Sequence, residues 1–280
     1  MRVDNYAVLY RRLEIARDAI KDDERYAESR QCLETFMDMY GDREDFEVDD
    51  EKQFSSEKLE IAMELHDTDP TVEMQHDVAA LLTDIYDDLI AEGNDDAMCN
   101  LGSLYYTGRG GTQDYEKAAY YYEMASKAGN RQATENLGYI YYYGRTGEVN
   151  YEKAFHCFLK GALDNHLRSL YKVGDFYRNG YYVEKDEKEA FRIYKLCYDM
   201  LDETNTSHVG ADICMRMGDC YFEGIGTEKD LLEALENMHS AEELFYVRLM
   251  DGDFYQKENL KHVIEREEEI RKEIKETMLP

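Results

Sequence analysis

Between Asp96 and Thr107 the apolar or small residues Ala97, Leu101, Gly102 and Tyr105 fall at i, i+4, i+5 and i+8, a spacing that puts them on one face of a helix. The pattern recurs along the chain. Leu101-Gly102-x-x-Tyr105 returns as Leu137-Gly138-x-x-Tyr141, Val173-Gly174-x-x-Tyr177 and Met217-Gly218-x-x-Tyr221, with the glycines 36, 36 and 44 residues apart. Three more columns keep this register: Gly108, Gly144, Gly180 and Gly224, then Asp114, Asn150, Asp186 and Asp230, then Ala118, Ala154, Ala190 and Ala234. Each unit therefore predicts two helices. The first, helix A, closes at the glycine of the second column, where a left-handed residue without a Cβ ends a helix at least cost. The second, helix B, starts after the Asp or Asn, whose side-chain oxygen can accept an unpaired backbone N–H of the first turn. Helix B presents small, large and small residues in turn: Ala118, Tyr122 and Ala125, then Ala154, Phe158 and Gly161, then Ala190, Tyr194 and Cys197, then Ala234, Met238 and Ala241. That face predicts close helix approach, with the large residue filling the space between units. One pair cannot bury its own stripe, so the pairs must stack.

The units fall at 94–129, 130–165, 166–209 and 210–245, together 94–245. Leu82, Tyr86 and Gly93 stand 36 residues before Ala118, Tyr122 and Gly129, which predicts a degenerate acidic repeat over 54–93. Its helix A is expected over 56–66 and its helix B over 71–92, with Pro70 in the first turn. Residues 1–41 predict an N-terminal helical hairpin acting as a cap, striped by Tyr6, Leu9, Leu13, Ala16 and Ile20 and then by Tyr26, Leu33, Phe36 and Tyr40. The acidic stretch 42–53 reads as an exposed linker. At the other end, 246–280 predicts a capping helix striped by Leu260, Val263, Ile264, Ile270 and Ile274, with a dimerisation helix as the alternative. Only two prolines occur in 280 residues, which agrees with an all-α chain.

The run Ala97-x-x-x-Leu101-Gly102-x-x-Tyr105-x-x-Gly108-x-Gly110-x-x-x-Asp114-x-x-Lys117-Ala118-x-x-x-Tyr122-x-x-Ala125-x-x-x-Gly129 resembles the signature of the Sel-1-like repeat, a relative of the tetratricopeptide repeat. Departures are confined to turns and surface: Thr146 and Tyr182 stand where the second turn glycine is expected, and Glu189 and Glu233 where a lysine is usual. The resemblance implies an all-α, right-handed superhelical solenoid of antiparallel helix pairs, with helix A on the concave side. It also implies a role as a scaffold or adaptor. A cysteine-rich branch of that family is linked to β-lactam hydrolysis, but its regularly spaced cysteine pairs are missing here.

Charge narrows the partner. The chain carries 62 acidic and 33 basic side chains, a formal charge of -29, which phosphate backbones and anionic membranes repel. No nucleic acid or membrane partner is expected. Residues 54–93 hold eleven acids and the single base Lys58, so a basic partner would favour that stretch. No apolar targeting or spanning segment is found, and the expected compartment is the cytoplasm. Six scattered cysteines read as reduced thiols.

No catalytic motif emerges. Gly108-Arg109-Gly110-Gly111 lacks the Lys-Ser/Thr of a phosphate loop and belongs to the repeated turn. His156-Cys157 and Cys214-x5-Cys220 do not match zinc spacings, so neither metal nor cofactor is expected. Asn205-Thr206-Ser207 reads as an inserted loop. The excess is in tyrosine: there are 25 with no tryptophan, and seventeen lie between residues 94 and 198. Aligned on tetratricopeptide groove positions, helix A would present Tyr106, Tyr139, Tyr142, Tyr143, Tyr171, Arg178 and Phe222 to a protein or peptide partner. The other reading packs these rings between repeats, with Arg178 in a structural ion pair. The expected function is a non-catalytic, monomeric scaffold gripping a partner on a Tyr-rich concave face. The alternative is an inhibitor or immunity-type protein that masks a basic toxin or enzyme through its acidic surface.

Overall fold

The computed structural model describes residues 3–41, 48, 50–69, 73–202, 206–253 and 256–278, and all regular structure among them is helical. The chain forms two compact units, Met1–Glu148 and Val149–Pro280, divided between the two helices of the second repeat. No helix among the described residues is long and apolar enough to cross a membrane.

In the first unit, α1 (Tyr6–Ile20) and α2 (Ala27–Gly41) form the expected hairpin. They are followed by α3 (Glu51–Asp67), α4 (His76–Ala91), α5 (Asp95–Thr107), α6 (Tyr115–Ala128) and α7 (Arg131–Tyr143). From α3 onward each helix packs on the next, and α1 also packs on α4. The stripe Tyr6, Leu9, Leu13, Ala16 and Ile20 is buried in one cluster with Leu33, Ile61, Leu65, Leu82, Ile85, Leu89 and Leu101. The hairpin thus packs against α3 and α4.

The second unit holds α8 (Tyr151–Leu163), α9 (Leu167–Asn179), α10 (Glu187–Asp199), α11 (Ala211–Glu223), α12 (Leu231–Met250) and α13 (Lys257–Met278), again each against its successor. Leu260, Val263 and Ile270 of α13 are buried with Met238, Ala241 and Phe245 of α12.

The punctuation follows the columns. Gly108, Gly144, Gly180 and Gly224 are left-handed C-caps, with φ between 62° and 74°. Asp114, Asn150 and Asp186 accept the backbone N–H three residues on, and Asp230 accepts from Leu232 and Glu233. The glycine of helix A has a separate, steric role. A Cβ at Gly102 would lie 2.8 Å from the Tyr122 ring, at Gly174 2.6 Å from the Tyr194 ring and at Gly218 2.9 Å from Met238. The large residue of helix B therefore sits on the glycine of its own repeat and also reaches the next one, as Tyr122 shares a pocket with residues of α7 and Phe158 meets Phe176 of α9.

Two boundaries also differ. The acidic stretch 42–53 is not all linker: α3 begins at Glu51, where Asp50 accepts from the N–H groups of Lys52 and Gln53. Phe54, 4% exposed, starts its buried stripe, and Val48 packs against the core, while 42–47 and 49 lie outside the described residues. The degenerate helix B starts at His76 and not near 71, because Gln75 caps it. Asp69 is engaged elsewhere, accepting from the Ser29 N–H at 2.9 Å and its hydroxyl at 2.6 Å, and Pro70 lies outside the described residues. In the third repeat the insertion closes with a π-helical turn, Thr206–Gly210, that leads into α11, and Asn205 lies outside the described residues.

Candidate functional site

Four tyrosines of the first unit converge on one spot. Tyr106 from α5, Tyr122 from α6 and Asn136, Tyr139 and Tyr143 from α7 line a pocket of about 140 Å³. Its floor is Tyr122, 2% exposed because the absent side chain of Gly102 leaves room for the ring. Tyr139 and Tyr143, one helical turn apart, stack with centroids 6.2 Å apart and planes 10° apart. Tyr142 meets Tyr143 edge-on at 5.0 Å, and Tyr106 meets Tyr115 edge-on at 5.2 Å. The guanidinium of Arg145, just past the α7 C-cap, lies 5.3 Å from the Tyr143 centroid and 5.6 Å from that of Tyr115. Burial raises the Tyr106 hydroxyl pKa, and the positive charge of nearby Arg145 pulls the other way. At neutral pH the pocket therefore offers neutral rings and hydroxyls with one cation at its rim. Tyr143 is half exposed, and the other lining rings are more covered.

Four of the seven residues singled out by sequence, Tyr106, Tyr139, Tyr142 and Tyr143, thus lie in one cluster. The other three belong to the second unit, where side chains of the chain itself engage them. Tyr171 is 3% exposed and lies beneath the Arg216 guanidinium, 4.3 Å from its centroid. Arg178 pairs with Asp219 at 3.3 Å and Glu223 at 3.6 Å, which is the structural ion pair held open as its other reading. Phe222 lies between the cations of Lys229 and Arg266, at 4.6 and 4.9 Å. Arg266 and His262 come from α13, and both also reach Asp219, so the terminal helix covers this face of α11.

Beneath that face lies a buried ionic network. Asp175 takes two 2.7 Å hydrogen bonds from Arg216 and one of 2.8 Å from the Tyr194 hydroxyl, with Lys172 at 3.2 Å. Burial opposes ionisation of Asp175, but Arg216 and Lys172 outweigh it and hold the carboxyl well below the usual range. The network orders α9, α10 and α11 and leaves no oxygen of Asp175 without a donor. The acidic stretch of the first unit is also partly committed. Asp84 pairs with Arg12, Asp88 accepts the Val3 N–H, Glu57 the Tyr6 hydroxyl, and Glu92 pairs with Lys58. Arg109 of the glycine-rich turn donates to the carbonyls of His66 and Thr68, which makes it a brace to the preceding repeat.

Sequence reasoning missed Tyr115, Tyr122, Asn136 and Arg145. Tyr122 is a repeat column and reads as core, while Arg145 stands in a turn, where nothing in helical periodicity points to a ring cluster. All six cysteines are free thiols. Burial pushes Cys32, Cys99, Cys197 and Cys220 up to about 12 and Cys214 up to about 11, the opposite of an activated nucleophile.

The Sel1 repeat matches residues 95–130, 131–166, 167–199 and 211–244. Among solved structures, a Sel1 repeat protein from Oxalobacter formigenes is similar in fold, with a TM-score of 0.58 and 21% identity over 78% of this chain and 88% of that one. The protective antigen c5321 of uropathogenic Escherichia coli, described as having an SLR fold, gives a TM-score of 0.42 and 15% identity over 97% of this chain and 63% of that one. The search of curated proteins gave no match. Sel1 repeat proteins in general mediate protein–protein interaction as non-catalytic scaffolds. With four such repeats in the register set by its Leu-Gly-x-x-Tyr columns, this chain belongs to the Sel1 repeat family.

Proposed function

We propose that this protein is a non-catalytic scaffold that holds a partner protein by a short segment, one apolar or aromatic side chain of which enters the tyrosine pocket between α5 and α7. The observation that carries this reading is the pocket itself. Its volume of about 140 Å³ is close to that of the roughly 150 Å³ cavity that accommodates a benzene ring, and tyrosine walls give rigid contact at low entropic cost. Arg145 at the rim suits a carboxylate beside the anchoring side chain. Tyr171, Arg178 and Phe222 are left out of the contact surface, since one is buried and the others are engaged within the second unit.

Panning a random peptide display library on the full chain tests the proposal. Selected peptides should share an aromatic or large aliphatic anchor, and Tyr139→Ala and Tyr143→Ala should each weaken them by about tenfold or more, as expected of anchor contacts. Peptides that bind both variants as tightly as the wild type would overturn it. Affinity that collapses between roughly 50 and 500 mM salt while ignoring both variants would point instead to the acidic surface.

A further inference from the structure

At the far end of the second unit, α12 carries His239 and Glu242, three residues apart and hence on one helical face, opposite Glu267 of α13. One nitrogen or oxygen from each of the three lies within 4.8 Å of the others. Glu267 is the informative member. It is 6% exposed, and its Oε2 accepts from Arg271 at 2.7 and 3.3 Å. Its Oε1 is buried with no hydrogen-bond partner and lies 3.5 Å from Nδ1 of His239. A carboxylate oxygen removed from water and given no donor is costly unless something positive meets it.

We propose that His239, Glu242 and Glu267 form a divalent transition-metal site of the zinc class, which fastens the terminal helix α13 to α12. Tetrahedral zinc, with bonds of about 2.0–2.2 Å, needs donor atoms about 3.3–3.6 Å apart, and Nδ1 and Oε1 already stand at that separation. Glu242 closes the remaining gap by rotation of its flexible side chain. On the outer side of the imidazole, Oε1 of Glu243 lies 3.6 Å from Nε2, where a carboxylate fixes the ring and strengthens its metal-facing nitrogen. Arg271 holds the other oxygen of Glu267, so Oε1 is left directed at the ion. Two carboxylates balance the charge of the ion, and the imidazole selects a transition metal over calcium or magnesium, which take oxygen donors. Water fills the fourth position. Sequence spacing shows only two of these three ligands, His239-x-x-Glu242, because the third comes from the next helix.

The test uses the full chain stripped with a chelator, titrated calorimetrically with Zn²⁺ and spectroscopically with Co²⁺, alongside His239→Ala and Glu267→Gln. His239 is 58% exposed in its side chain and glutamine is isosteric with glutamate, so both variants should fold, which circular dichroism checks. The wild type should bind one equivalent that each variant loses or binds at least tenfold more weakly. The Co²⁺ complex should lack a thiolate charge-transfer band, which separates this site from any cysteine site. Zinc should raise the thermal midpoint of the wild type alone. Absence of zinc binding, or equal stoichiometry and affinity in all three proteins, would overturn the proposal and leave His239 and Glu267 as an imidazolium–carboxylate pair.

Discussion

Replacing Gly174 with alanine puts a methyl group 2.6 Å from Cε1 and 3.0 Å from Cδ1 of Tyr194, a ring that is fully buried and cannot swing into solvent. In an exposed helix the same change would stabilise by about 1 kcal/mol, since glycine is the poorer helix former. Here it must displace the ring, at an overpacking cost of about 1–3 kcal/mol. The displaced ring also draws its hydroxyl away from Asp175, now 2.8 Å distant, and an unmade buried hydrogen bond costs about 1–3 kcal/mol more. The steric and polar terms outweigh the helical gain, and a net loss of about 1–5 kcal/mol is expected. Urea unfolding followed by circular dichroism measures it, and the discriminating comparison is the double-mutant cycle with Tyr194→Ala. Once the ring is gone, Gly174→Ala should become neutral or stabilise by up to about 1 kcal/mol. The same loss in both backgrounds would refute the claim that the glycine column exists to seat the large residue of helix B.

Three further outcomes follow from the same contacts. Arg216→Met removes both hydrogen bonds to the buried Asp175 carboxylate and should cost about 3–5 kcal/mol by urea unfolding, whereas breaking the solvent-exposed pair Arg192–Glu189 should leave the unfolding midpoint unchanged. The hydrogen bond from His262 to Asp219 raises the imidazole pKa in the folded state, against the opposing charges of Arg266 and Arg178. The stability it supplies is complete below the unfolded value of about 6.5 and is lost as pH rises through the raised folded value. The thermal midpoint of wild type should therefore exceed that of His262→Ala most at pH 6 and approach it by pH 9, and a constant gap would contradict the assignment. Asp230→Ala removes the cap of α12 and should cost about 1 kcal/mol by thermal denaturation, rescued by Asn at that position.

Much of the architecture was legible because it rests on local chemistry that recurs. Gly108 and Asp114 can be read from one residue each, since a left-handed turn and an N-cap make demands on the backbone that few residue types meet. The start of α4 was misread because Asp69 and Pro70 look like a helix beginning, yet Asp69 is committed to Ser29 in α2, a partner forty residues away. The tyrosine cluster was half legible. Tyr139 and Tyr143 share a face by helical spacing, but that Arg145 and Tyr115 join them depends on how two turns meet in space. Phe222 occupies the repeat position of Tyr106 and Tyr142, and Tyr171 a groove position of its own repeat, yet neither joins such a cluster, because Arg266 from the terminal helix covers the one and Arg216 covers the other. Repeat alignment registers the position and not which side chain a neighbouring helix lays over it. Glu267 escaped for the same reason, as its burial is decided by contact of α13 with α12.

The most direct test of the partner-holding account is an NMR titration of the full chain, labelled at its tyrosine rings, with a peptide selected from the display library. The rings of Tyr106, Tyr122, Tyr139 and Tyr143 should shift together, saturating at one equivalent, while the exposed Tyr246 and Tyr182 of the second unit stay in place. Shifts confined to Tyr246, Tyr182 or other rings outside the pocket, with the four pocket rings unmoved at saturation, would contradict the account.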